Sequence, residues 1–188
     1  KVIGRPAHAG VAPEEGISAI QVASAAISKM NLLRIDAETT ANIGRIEGGS
    51  VTNIVAAETI VFAEARSLDN HKLKAQSDHM VACFEDAAKA FGATVETKVS
   101  RMYSAFTIDE DAEIVNMAKA ACTRIGLNPY TASSGGGSDT NVFNANGLMA
   151  INLGIGEKKP HTLEEHLHIK DLVATSSLVL ELIKGAVK

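Results

Sequence analysis

Thr39-Thr40-Ala41-Asn42-Ile43-Gly44-Arg45-Ile46-Glu47, closed by Gly48-Gly49, and then Thr59-Ile60-Val61-Phe62-Ala63-Glu64-Ala65-Arg66 are the two stretches whose reading decides the fold. The first is rich in Thr, Asn and Ile; the second alternates Ile60 and Phe62 against Val61, Ala63 and Ala65, so each reads as a strand. No helical period separates them. Working outward, the period changes on both sides. Ile17, Ile20, Ala23, Ile27 and Met30 recur at helical spacing over Gly16 to Met30. Leu73, Met80, Phe84, Ala87, Ala88 and Phe91 mark a second helix over Asn70 to Phe91, stopped by Gly92 where a left-handed cap is wanted. Lys1 to Gly4 on one flank and the alternating Val95, Thr97 and Val99 on the other add a strand each. The order strand, helix, strand, strand, helix, strand predicts an α+β domain over residues 1–102, a split βαβ unit whose helices share one face of an open sheet.

The chain then changes character. Ile114, Met117, Ala118, Ala121 and Ile125 mark a helix with Gly126 and Pro129 beyond it, and a Ser/Gly-rich loop from Ser133 to Asp139 leads to a short helical stretch near Val142 to Asn146. Leu148 to Leu153, between Gly147 and Gly154, reads as a buried strand, and Leu172, Ser176, Val179, Ile183 and Val187 as the apolar face of a last helix. A boundary is expected near Met102 to Phe106. The residues beyond it, 103–188, are few for a layered α/β domain with both sheet faces covered, so this half is expected to be an incomplete part of a larger domain.

Composition narrows the function. A chain of 188 residues with 46% hydrophobic and 21% charged residues has the makings of a globular core, not of a disordered segment. A net charge of −4 without a local Lys/Arg cluster disfavours nucleic-acid binding. No apolar run reaches the roughly 18 residues that cross a bilayer, and Lys1 to His8 hold no signal-peptide core, so a cytoplasmic protein with no membrane association is expected. Cys83 and Cys122 lack metal or redox spacing and read as buried, reduced thiols.

Several residues could carry chemistry, each with an ordinary alternative. Pro160-His161-Thr162-Leu163-Glu164-Glu165-His166-Leu167-His168 gathers three imidazoles and two carboxylates, yet it fits neither HExxH nor HxxEH. Thr162 with Glu165 also has capping-box spacing, which would leave His161 an ordinary loop residue. Gly135-Gly136-Gly137-Ser138-Asp139 before a helix could cradle an anion such as a phosphate or nucleotide, or be a flexible turn. His8, between Ala7 and Ala9 after a strand, should project from the sheet end. Arg66 could be a paired structural arginine or capture an anion, and Asn53 reads as a turn residue.

Taken together, Gly4-Arg5-Pro6-Ala7-His8-Ala9-Gly10 with Pro13 to Ile20, Gly48-Gly49 with Thr52-Asn53-Ile54-Val55, Glu64-Ala65-Arg66-Ser67, Gly136-Gly137-Ser138-Asp139-Thr140-Asn141, Leu153-Gly154 and His161-Thr162-Leu163-Glu164-Glu165 resemble, in order and spacing, one family. It is the peptidase T-like group of the zinc peptidase superfamily that includes carboxypeptidase G and aminoacylase. The resemblance implies a ferredoxin-like dimerisation and lid domain in residues 1–102, followed in 103–188 by the C-terminal portion of a zinc-dependent α/β catalytic domain. It implies that His161 is the last metal ligand and that His8 reaches the partner subunit's active site to polarise the scissile carbonyl. It further implies that Asn53 and Arg66 hold the substrate's carboxylate and that the Gly136 and Gly137 backbone lines the substrate cleft.

The family's other ligands, a histidine, a bridging aspartate and two acidic residues, together with a glutamate base, belong to a half that does not precede Lys1. The expectation is therefore a fragment of a di-zinc metallopeptidase that hydrolyses amide bonds of short peptides, forms a homodimer through the lid domain, and on its own is inactive with zinc absent or weakly held. A non-catalytic dimerisation module and an N-acyl amino acid amidohydrolase of the same superfamily are the alternatives.

Overall fold

The computed structural model describes residues 1–187. The chain divides into two compact units, Lys1–Ala105 and a second from Phe106 on. In the first, β1 (Val2–Ile3), β2 (Leu33–Arg34), β3 (Thr39–Gly48), β4 (Glu58–Ser67) and β5 (Thr94–Val95) form one sheet in the order β2-β3-β4-β1-β5, every neighbouring pair antiparallel. Helices α1 (Ala19–Ile27) and α2 (Asn70–Phe91) pack on one face of it. The period of two sorts β4: Val61 and Ala65 join Val2, Ala41 and Val95 against Ala23, Ala26, Met80 and Ala87 of the helices. Ile60, Phe62, Glu64 and Arg66 take the opposite face, where Phe62 is half exposed and the Arg45 guanidinium lies 5.0 Å from its ring centre.

Local chemistry fixes the long elements. The Asp69 carboxylate caps α2 by accepting the N–H groups of His71 (2.6 Å) and Lys72 (3.1 Å), and Gly92, at φ +70°, ends the helix in the left-handed conformation. The β3–β4 ladder runs from Thr39–Ser67 to Gly48–Thr59 with one irregularity, between Ile43 and Arg45.

Four expectations are corrected. The first helix starts at Ala19 rather than Gly16, because Arg5 and Ile17 exchange both backbone hydrogen bonds (2.9 and 2.8 Å) and hold Ile17 extended, leaving Ser18 as the cap. The last strand stops at Val95: Glu96 still bonds the Lys1 carbonyl at 2.9 Å, but the two residues of β1 offer Thr97 and Val99 no further partner. Leu148 to Leu153 is neither strand nor buried, since among the described residues the second unit has no strand for it to pair with.

The fourth correction concerns the last helix. The second unit contains α3 (Glu113–Arg124), α4 (Asp139–Ala145) and α5 (Ile169–Ala186). α3 buries Val115, Ala118 and Ala121, and α5 buries Leu178, with Arg124 tying the two helices through the Glu181 carboxylate (3.0 Å) and carbonyl (3.3 Å). The face expected to be covered, with Leu172, Val179 and Ile183, is exposed, because the apolar residues of α5 spread around more than one face and α3 covers one. Of the two thiols, Cys83 is buried and Cys122 partly so; both are free.

Candidate functional site

His8 and Asn53 come together. Beyond the short β1 the chain keeps pairing with the segment before β4: Val55 N–H donates to the Ala7 carbonyl (2.9 Å), Ala9 N–H to the Asn53 carbonyl (3.0 Å), and His8 bridges Ile54. Small flanking residues leave the His8 ring exposed. Gly10 N–H donates to His8 Nδ1 at 3.2 Å, so the neutral ring carries its proton on Nε2 and presents a donor there. Asn53 sits on an exposed turn, its side chain free of the ladder its backbone supports.

Arg66 is not part of this pair. It lies at the far end of β4, opposite Thr40, eight residue steps from Glu58. At about 3.3 Å per residue that is roughly 26 Å of strand, and the His8–Asn53 pairing continues in the other direction. Arg66 shares the open face with Glu64, whose two carboxylate oxygens accept from its Nε (3.0 Å) and Nη2 (2.9 Å). Those bonds raise the Arg66 pKa above its ordinary value against the opposing effect of burial, with Tyr103 adding a smaller contribution.

Gly136 and Gly137 lie on an exposed loop, with Gly136 N–H bonded to Ser134 Oγ at 3.1 Å. The loop is anchored where it enters α4. Asn141 Oδ1 accepts the Ser138 N–H (3.0 Å), and the hydroxyls of Ser138 (3.1 Å) and Thr140 (2.7 Å) both donate to Asn152 Oδ1. This Thr140–Asn152 clamp has no motif in the sequence; the one hint is a polar Thr-Asn pair at a position that turns out buried.

His161 heads a tight turn closed by two backbone bonds between Lys158 and His166 (3.0 and 3.2 Å). Lys159 and His161 both adopt left-handed backbones, at φ +51° and +61°. The Thr162–Glu165 capping box does not form as spaced: Glu165 Oε2 accepts from His161 N–H (2.6 Å) rather than from Thr162, and no helix starts there. Glu164 pairs with Lys159. His166 and His168 are exposed, with ring centres 5.2 Å apart.

Among the described residues no three His, Cys, Asp or Glu side chains converge as a metal site. One imidazole beside carboxylates already engaged by the turn does not fit a two-zinc centre by itself.

The sheet with helices on one face, carrying a projecting histidine, has a known class. Residues 1–91 match the model of the M20 peptidase dimerisation domain. Over 187 residues the chain is 48% identical to the uncharacterised protein YqjE of Bacillus subtilis, all of this chain against 50% of that protein. It is also similar to the crystal structure of the aminopeptidase PepT from Bacillus cereus, at 46% identity and a TM-score of 0.81 over 100% of this chain and 50% of that one. A tripeptidase from Staphylococcus aureus gives 45% identity and a TM-score of 0.86 over 97% of this chain and 49% of that one. The chain thus spans about half the length of these relatives. No helix among the described residues is long and apolar enough to cross a membrane.

Proposed function

We propose that the chain supplies the ferredoxin-like dimerisation and lid domain, and the adjoining C-terminal part of the catalytic domain, of a peptidase T-like enzyme that hydrolyses amide bonds of short peptides. The observation that carries this reading is the paired His8–Asn53 loop at one end of a peptidase dimerisation domain, in a chain 45% and 46% identical to a tripeptidase and an aminopeptidase. His8 is assigned to polarise the scissile carbonyl through its Nε2–H, and Arg66 to hold the substrate's carboxylate. Gly136 and Gly137 are assigned to the cleft wall, and His161 to one metal. The remaining ligands of two zinc ions would have to come from residues other than those described here. A cytoplasmic setting suits the two free thiols.

The length of β4 adds a constraint. A short peptide cannot touch both ends of a strand this long, so we assign His8 and Asn53 of one copy, with Arg66 of the second, to each substrate in a homodimer. Asn53 accordingly works beside His8 rather than beside Arg66.

The test is a chimera in which this chain replaces the matching half of Bacillus cereus PepT. At substrate well below KM, His8→Ala and Arg66→Ala chimeras should each lose most tripeptidase activity. Refolding them together should restore roughly a quarter of the native rate, because statistical pairing regenerates one intact site in half of the dimers. No recovery on mixing, or a chimera that cleaves N-acyl amino acids but not tripeptides, would overturn the assignment.

A further inference from the structure

We propose that Glu64 is a specificity-determining residue: an internal carboxylate that occupies the Arg66 fork and that any ligand's carboxylate must displace. The inference rests on the assignment of Arg66 as the carboxylate-holding residue.

The two side chains are two residues apart on β4 and therefore side by side on the open face. Their contact is bidentate, Nε to Oε1 at 3.0 Å and Nη2 to Oε2 at 2.9 Å, which is the fork edge an incoming carboxylate would use. Across the ladder, Glu64 faces Asn42 and Arg66 faces Thr40, so neither cross-strand neighbour brings a second charge to compete for the pair. The pair is also accessible, with 53% of the Glu64 side chain and 39% of the Arg66 side chain exposed. An ion pair this open is held weakly enough to be exchanged.

Selectivity follows from the exchange. A ligand carboxylate replaces Glu64 with matching geometry and charge, so it gains a site at a modest cost. A neutral acceptor, such as a peptide carbonyl or a terminal amide, would have to break two charge-assisted hydrogen bonds for weaker ones and is rejected. Glu64 thus lowers affinity for the correct terminus slightly and for the wrong one more.

The experiment uses the 15N-labelled 188-residue chain and follows the Arg66 Nε–Hε resonance during titration with trialanine, with trialanine amide as the neutral probe. Trialanine should shift the resonance in the native chain, and its midpoint should fall about two- to fivefold in Glu64→Gln and in Glu64→Ala. Trialanine amide should leave the native resonance in place and begin to move it in both variants. An unchanged or raised trialanine midpoint in both variants, with the native shift present, would overturn the role of Glu64 and leave that of Arg66 standing. No trialanine response in native or variant chains would overturn both.

Discussion

His161 holds a left-handed backbone, φ +61°, while its own N–H is bonded to the Glu165 carboxylate at 2.6 Å. A side chain at this φ is strained by contact between Cβ and the backbone, so the turn keeps an imidazole where a glycine would be more comfortable. His161→Gly should therefore raise the stability of the second unit by about 0.5–1 kcal/mol, and Glu165→Ala should lower it, because the N–H loses its partner. Urea unfolding followed by far-ultraviolet circular dichroism reads both; shifts of the same sign would contradict the strain.

Asp36 closes the β2–β3 turn. Its Oδ1 accepts the N–H groups of Glu38 (2.9 Å) and Thr39 (2.8 Å), and its Oδ2 pairs with Lys72 at 3.2 Å. The backbone bond to Glu38 is the largest influence pulling its pKa from 3.8 to about 2, with desolvation opposing. A group whose folded pKa is depressed stabilises the fold above its unfolded pKa and loses that contribution as pH falls through the folded value. The native chain should thus lose stability between about pH 4 and pH 2 more steeply than Asp36→Asn, in thermal melts at low salt. Identical slopes in the two proteins would exclude Asp36 as a source of the acid sensitivity.

The residues explain what the sequence could and could not reveal. Asn70 to Phe91 is readable to the residue because one apolar face and a Gly stop agree; β4 is readable from the alternation of Ile60 and Phe62 with Val61, Ala63 and Ala65, and β3 from its Thr, Asn and Ile content and its Gly48-Gly49 close, its register being broken between Ile43 and Arg45. β2 is not: Leu33–Arg34 is too short to show a period, and Leu33 stands at φ +62°. Leu148 to Leu153 has the composition of a strand, but pairing depends on a neighbour that composition does not report. Arg66 and its partner Glu64 share a motif, so their proximity is legible. The meeting of His8 with Asn53 depends on the register Val2–Thr59 and Ile3–Glu58, a long-range feature that no local window contains.

Gly4 is where that register meets α1. A Cβ built on Gly4 would fall inside contact distance of the Ile17 carbonyl, which accepts the Arg5 N–H at 2.9 Å. The obstacle is backbone, not a side chain that can swing away. Gly4→Ala should cost about 2 kcal/mol or more and should disturb the His8 loop along with it. Hydrogen exchange at Arg5, Ile17 and Ala9 would read both effects, and a variant with native protection at all three would contradict the packing.

Kinetics of the chimera with Bacillus cereus PepT separate the two ends of β4. Arg66 is assigned to an end of the peptide that does not react, so its contribution should be equal in the ground and transition states, and Arg66→Ala should raise KM about tenfold or more with kcat little changed. The His8 Nε2–H is assigned to the carbonyl oxygen, where charge grows only as the bond breaks, so His8→Ala should lower kcat about 10²-fold with KM nearly constant. The Gly10 N–H bond to Nδ1 is what directs the proton to Nε2. Gly10→Pro, which deletes that donor, should fall between native and His8→Ala in kcat and should show a mixed tautomer in the 15N spectrum of the ring. Equal KM and kcat effects for His8→Ala and Arg66→Ala would mean that the two residues do not divide binding and chemistry in this way.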